Sequence, residues 1–335
     1  MRGIVCVVHR YIKAVGAGQK RARDLDRDEA CAAMGLVADG QARPEQIGAF
    51  LLALRMKGEA AAELAGFVDA LEQRMERAPP PPPETLDVDC HGDGHEGRAT
   101  LLPAAACAAA ALGVPVLLRL QRHSPTARHG LVPALAAIGF DIERPFDSAR
   151  AAHLLATAQL GVLDLEAYCP ALSRLVALRP LFGVRTVAQT LMKLLDPFAC
   201  AAQLVGVFHA PYLPSTAKAL ATRGRLRALC VQALGGLPEA APSKIVRVCA
   251  ATDEAPRVID LRALSPVAAE ENEDAARWNR AALDGEPAAA DRAAAAAALL
   301  LHAARAIDPV AAAGAAREAL LSGAARAVAA RLGAD

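Results

Sequence analysis

EACAAMGLVADGQARPEQIGAFLLALRMKGEAAAELAGFVDAL, residues 29–71, carries apolar residues at helical spacing in three blocks separated by turn signals. The first block lies in DRDEACAAMGLVADG, where Asp26 or Asp28 is placed to cap the start and Gly40 to stop the helix. The second has Pro44 in its first turn and Gly58 at its end. The third turns Leu64, Phe67, Val68 and Leu71 to one side. Residues 10–77 therefore read as a helical bundle. Five prolines follow, Pro79 to Pro83, which suit neither helix nor central strand and read as an extended hinge.

Beyond the hinge the pattern changes. LDVDC reads as a strand, PAAACAAAALG as a small-residue helix and VPVLLRL as a buried strand. The alternation recurs in LGVLDL, ALSRLVAL, AQLVGVFH, LPSTAKALATRG and RALCVQAL. This predicts an α/β fold with a mostly parallel sheet flanked by helices. The expected division is a helical domain over 1–78, a Pro-rich hinge over 79–85 and a larger α/β domain over 86–335. The Ala-rich tail from about Glu271 is expected to be helical and to help complete the N-terminal bundle.

The net charge of +1 gives the whole molecule no pull toward polyanions, so any phosphate affinity must be local. The eight cysteines form no CxxC pair, which points to buried free thiols in a reducing compartment. No run reaches the roughly 20 apolar residues of a membrane span. The expectation is a cytoplasmic protein with no membrane partner. The CHGDGH stretch gathers Cys90, His91, Asp93 and His95 but fits no recognised zinc spacing, so no metal site is expected.

Residues 29–71 resemble the helical N-terminal domain of anthranilate phosphoribosyltransferases and pyrimidine nucleoside phosphorylases. LRPLFGVRTVAQTLMKLLDP and QLVGVF resemble the central Arg-containing segment of the anthranilate enzymes, and WNRAALDGEP their C-terminal end. The resemblance covers nearly the whole chain and implies the two-domain fold of that family. Its site segments differ. The family phosphate loop, GTGGDG followed by NIST, aligns with Cys90-His91-Gly92-Asp93-Gly94-His95 and Thr100-Leu101-Leu102-Pro103. A phosphate loop needs small residues and free N–H groups. Asp93 brings a carboxylate and Pro103 removes an N–H. Gly92, Asp93 and Gly94 are thus read as a degenerate phosphate loop. KHGNR becomes Leu118-Arg119-Leu120-Gln121-Arg122. The acidic pair that holds magnesium becomes Pro238-Glu239, and the Asn of GPLxNP becomes Asp196.

The stretch from Lys13 to Asp28, with its ARDLDRD string, resembles the YbiB family. These are relatives that bind nucleic acid without marked sequence preference and form dimers. That resemblance implies a sequence-independent binder of single-stranded nucleic acid on a degenerate scaffold. It further implies no catalytic residues, no cofactor and a homodimer formed through the helical domain. The basic candidates are Lys13, Lys20, Arg21 and Arg23 before the first bundle helix, and Arg119 near the end of VPVLLRL with Arg122 and Arg128 after it. Arg179, Arg185 and Lys193 lie in the central segment. Lys218, Arg223, Arg225 and Arg227 form a further basic set. Such residues would neutralise phosphates and give salt-sensitive binding. Aromatics at 3% argue against a base-stacking platform. The alternative is an anthranilate phosphoribosyltransferase-like glycosyltransferase that uses phosphoribosyl pyrophosphate with magnesium.

Overall fold

The structure is a computed structural model that describes residues 5–18, 20–93, 98–124, 130–232, 234–240, 244–264 and 273–333. The chain divides into two compact units. The first comprises Met1–Arg77, Leu165–Pro197 and Lys218–Gly224. It begins with helices α1 (Val5–Gly16), α2 (Arg27–Ala38), α3 (Pro44–Lys57) and α4 (Ala61–Glu72).

Asp26, not Asp28, caps α2. Its side chain accepts from the Glu29 N–H at 2.8 Å while the Glu29 carboxylate accepts from the Asp26 N–H at 3.2 Å. This reciprocal box satisfies two of the donors a helix start leaves open. Asp26→Ala is expected to cost about 1 kcal/mol, read as a lowered midpoint in thermal unfolding. Helices α2 and α4 pack closely because Gly66 allows it; a Cβ there would lie 2.2 Å from the Arg27 carbonyl oxygen. Phe50 and Phe67 meet edge to face at 5.9 Å inside the bundle. Glu63 is completely buried, yet it accepts from Lys57 at 2.8 Å, from the Leu25 N–H at 2.9 Å and from the Ala60 N–H at 2.8 Å. Arg223 joins the later segment to α4 through Asp69 and Glu72. That arginine is therefore part of the bundle framework rather than of a basic surface.

The second unit comprises Ala78–Asp164, Phe198–Ala217 and Arg225–Asp335. Its sheet contains β1 (Leu86–Asp89), β2 (Val116–Leu120), β3 (Leu160–Asp164), β4 (Ala202–Val207), β5 (Ala228–Gln232), β6 (Val246–Ala250) and β7 (Arg257–Ile259). The order is β3-β2-β1-β4-β5-β6-β7. The first five strands in space are parallel, and β6 and β7 add antiparallel at one edge. The mostly parallel sheet and the helical N-terminal unit are as the sequence predicts. β1 through β4 are buried along their whole lengths, which explains the largely apolar character of β2, β3 and β4, whereas β1 buries Asp87 and Asp89.

The helix after β1 is α5 (Leu102–Ala111), an almost pure alanine rod buried on every side. The 19-residue helix Pro287–Arg305, equally rich in buried alanine, packs on it. Small side chains on both let the backbones approach, and this sets the destination of the tail. Helices Ala275–Leu283, Pro287–Arg305, Pro309–Leu321 and Ala324–Leu332 all belong to the sheet unit. They do not complete the N-terminal bundle, which instead recruits residues 165–197 and 218–224. Cys90, Cys107, Cys169, Cys200, Cys230 and Cys249 are buried free thiols. Burial pushes Cys107 up to about 12 and Cys169 up to about 11. No single helix among the described residues is long and apolar enough to cross a membrane.

Candidate functional site: the turn between β1 and α5

In an open parallel sheet the ligand crevice lies beyond the carboxyl ends of the strands where the strand order reverses. Here that point is the end of β1, between β2 and β4. The chain leaves β1 through Cys90, His91, Gly92 and Asp93 and enters α5 through Thr100 and Leu101. Gly94 and His95 lie outside the described residues.

Several of the described backbone donors gathered here already have acceptors. The Asp89 carboxylate takes the His91 N–H and the His91 Nδ1, at 2.9 and 2.8 Å, and the Gly206 N–H at 3.2 Å. Glu273 accepts from the Ala99 N–H at 2.9 Å and pairs with buried Arg292 at 2.7 Å. Arg292 in turn lies 4.3 Å over the Trp278 ring. Glu239 accepts from the Leu101 N–H at 2.8 Å and from the Thr100 hydroxyl at 2.7 Å. Buried Asn279 accepts from the Ala104 N–H at 2.9 Å and donates to the Thr100 carbonyl at 2.7 Å. Pro103, at the first turn of α5, has no N–H to offer. Burial raises the Glu239 carboxyl above its ordinary range, partly offset by the Thr100 and Leu101 hydrogen bonds.

Gly92 has a packing role. A Cβ there would lie 2.7 Å from the Gly235 carbonyl oxygen and 2.8 Å from the Leu237 nitrogen. The turn carrying Gly235 and Gly236 thus sits directly against the β1 exit. Asp93 is half-buried beside it. Magnesium needs carboxylates together with substrate oxygens. At the position the resemblance assigns to it, Pro238 offers no ligand and both oxygens of Glu239 already hold protein donors. These residues do not fit a protein-held magnesium site, and no group of three or more ligating side chains occurs among the described residues.

The basic candidates are not an assembled phosphate track. Arg119 is completely buried in the sheet, with its Nε 2.6 Å from Asp87 Oδ1. It cannot reach a polyanion. Arg122 lies 4.8 Å over the Phe146 ring and donates to the Ile142 carbonyl. Arg23 is exposed but paired with Glu29 at 2.6 Å. Arg227 donates to the Ala304 carbonyl at the end of a helix. Lys13, Lys20 and Arg21 are exposed on the helical unit, and Arg179, Arg185 and Lys193 are half-buried on it. Arg128 lies outside the described residues. Sequence reading missed Asp89, Glu273 and Asn279. For Asp89 the available signal was an acidic residue standing between apolar neighbours in LDVDC.

A helical unit and a parallel sheet unit with its crevice at the β1 exit define the class of phosphoribosyltransferase-type proteins. Models of the glycosyl transferase family match residues 9–75, as its helical bundle domain, and 84–326, as its a/b domain. The chain belongs to this family, on its anthranilate phosphoribosyltransferase branch. It is 35% identical over 234 residues to an anthranilate phosphoribosyltransferase of Anaeromyxobacter dehalogenans, spanning 69% of this chain and 68% of that one. It is 36% identical over 227 residues to the Methanosarcina acetivorans enzyme of that name, spanning 67% and 59%. Among solved structures, the anthranilate phosphoribosyltransferase (TrpD) of Thermus thermophilus superposes with a TM-score of 0.83 at 26% identity over 98% of both chains. The Saccharomyces cerevisiae enzyme in complex with PRPP and Mg gives 0.79 at 19% identity over 97% and 96%, which shows the shared fold.

These relatives correct the nucleic-acid reading. The similar proteins are phosphoribosyltransferases, acting on small molecules. The single-stranded nucleic acid partner, the DNA-binding assignment and the expectation of a non-enzyme fall with it. The physical reason agrees, since several of the arginines that suggested a basic groove hold the fold together instead.

Proposed function

We propose that this chain is a phosphoribosyltransferase of the anthranilate type, moving the ribose 5-phosphate group of phosphoribosyl pyrophosphate to an aromatic amine. The observation that carries this reading is the 35% identity to an anthranilate phosphoribosyltransferase across two thirds of both chains. In the reaction the bond from the ribose anomeric carbon to pyrophosphate breaks. A bond to the amine nitrogen forms, and the amine proton leaves. The sheet unit supplies the turn at the β1 exit as the place for the diphosphate. The magnesium of the yeast complex supports a requirement for that ion here, brought with the diphosphate rather than held beforehand by the chain.

Transfer depends on donors aimed at developing charge, and losing one such donor costs about 100-fold to 1,000-fold in rate. Several donors of this turn are already engaged, so turnover is expected to be slower than that of the Thermus relative by at least about 100-fold. The test mixes the full chain with phosphoribosyl pyrophosphate, magnesium and anthranilate and follows loss of anthranilate fluorescence beside pyrophosphate release. Equal amounts of both changes are expected. Absence of either, under conditions where the Thermus enzyme converts its substrate, overturns the reading.

A further inference from the structure

We infer that a cavity at the end of the sheet where the parallel strands begin is a second ligand site, taking a small anion with an apolar body. The inference does not depend on the transferase reading, because the cavity shares no residue with the β1 exit. The cavity, about 500 Å³, lies wholly within the sheet unit. Glu84 before β1, Leu226 to Leu229 at the start of β5 and Arg257 at the start of β7 surround it, with the end of helix Pro287–Arg305. The crevice lies at the other end of the strands, and β5, five residues long, spans about 16 Å between the two ends. The cavity volume falls in the range of small-molecule sites, roughly 300–1,000 Å³.

The charge of the lining selects the ligand. Three guanidinium groups, Arg227, Arg257 and Arg305, stand around the cavity against one carboxylate, Glu84. Arg305 takes that carboxylate at 2.9 Å. Arg227 donates to a neutral acceptor, the Ala304 carbonyl. Arg257 donates to the His302 Nε2 at 2.8 Å, while the His302 Nδ1 donates to the Ile307 carbonyl at 2.8 Å. The Asp253 carboxylate stands 3.7 Å from the Arg257 Nε, beyond hydrogen-bond reach, and accepts from the Ala250 N–H at 2.8 Å instead. Among the described residues, then, no carboxylate accepts a hydrogen bond from Arg227 or Arg257. A planar guanidinium presents paired donors that match a carboxylate or a phosphate. Between the charges the wall is apolar, formed by Leu226, Ala228, Leu229 and Ala303. An anion carrying a ring or a short chain covers that wall, whereas a bare anion leaves it against water. The backbone is also unusual here. Two of the four non-glycine residues with left-handed backbone among the described ones, Glu84 at φ +61° and Ala306 at φ +55°, line this cavity. Such conformations cost stability and gather where a ligand is held.

Helix capping accounts for the contact of Arg227 with the Ala304 carbonyl, since cations suit helix ends. It does not account for Arg257, which reaches the same cavity from a strand and rests on an imidazole, and it predicts no binding of anions. The two accounts separate experimentally. The probes are phenyl phosphate and benzoate, each an apolar ring with an anionic head. They are titrated calorimetrically into the full chain at low ionic strength without divalent metal. Saturable binding of at least one is expected, weakened at least tenfold by Arg227→Gln and by Arg257→Gln. Leu226→Glu, which adds a carboxylate at an exposed wall residue, is expected to weaken it as well. Arg317→Gln, which removes an exposed arginine paired with Asp291 outside the cavity, is expected to leave it unchanged. Tighter binding of phenyl phosphate assigns the site to phosphate esters, and tighter binding of benzoate assigns it to carboxylates.

Thermal unfolding of each variant shows whether it folds. If the arginine variants do not, Leu226→Glu decides, because the Leu226 side chain makes no hydrogen bond. The inference is overturned if neither probe binds the unaltered chain. It is also overturned if the folded cavity variants hold the probe as tightly as the unaltered chain, which would put the bound probe elsewhere. Weakening by Arg317→Gln as large as that by Arg257→Gln would overturn it too, by showing a response to net charge alone. The transferase reading fails on a different measurement, the consumption of anthranilate.

Discussion

Arg119→Leu is expected to destabilise the sheet unit by about 3–5 kcal/mol, seen as a lower guanidinium midpoint with native-like activity lost only as the fold is lost. Arg119 and Asp87 are both completely shielded from solvent, 2.6 Å apart, on the neighbouring strands β2 and β1. Gln203 on β4 donates to the other Asp87 oxygen at 3.1 Å. Three adjacent central strands therefore each contribute one polar side chain to a single buried cluster. Removing the guanidinium strands a carboxylate in the interior, where an uncompensated charge is far more costly than a missing pair. The double variant Asp87→Leu with Arg119→Leu should recover part of the loss, because it removes both charges at once. A double variant as unstable as the sum of the two single changes would show that the pair is not coupled and that shape alone sets the cost.

The same cluster shows where sequence reading succeeds and where it stops. VPVLLRL was legible as a buried strand, and that reading should have placed Arg119 inside with it. An arginine in an otherwise apolar central strand calls for an opposite charge on a neighbour, and LDVDC supplies Asp87 two residues before the strand end. The family resemblance drew Arg119 toward phosphate instead. The bundle helices were legible because their caps and periods are local, as the Asp26 and Glu29 box shows. The occupancy of the turn was not legible. Thr100 and Glu239 are separated by 139 residues, and their meeting depends on how two turns pack, which no local pattern encodes. For the same reason Pro238-Glu239 read as a damaged metal pair, whereas the structure gives the surviving carboxylate different partners. The tail helices misled in another way, since alanine periodicity identifies a packing surface without naming its partner.

Gly206→Ala is expected to cost about 3 kcal/mol or more, at the upper end of what overpacking produces, although it adds one methyl group. A Cβ on Gly206 would stand 2.1 Å from the Gly236 carbonyl oxygen and 2.8 Å from the carbonyl carbons of Gly236 and Leu237. These are backbone atoms, so no side-chain rotation relieves the overlap, and either β4 or the Gly235-Gly236 turn must shift. The Gly206 N–H also donates to Asp89 at 3.2 Å, which ties β4 to the β1 exit at the same point. Gly183→Ala supplies the contrast. Gly183 has φ +68° but nothing within 4 Å of its would-be Cβ, so its cost is limited to the backbone preference, about 1 kcal/mol. Thermal unfolding of the two variants side by side separates steric exclusion from conformational preference. Near-equal midpoints would mean that the turn yields easily. It would then also be too loosely seated to hold Glu239 against the Thr100 hydroxyl and the Leu101 N–H, so the stability of one glycine variant bears directly on whether that contact is rigid.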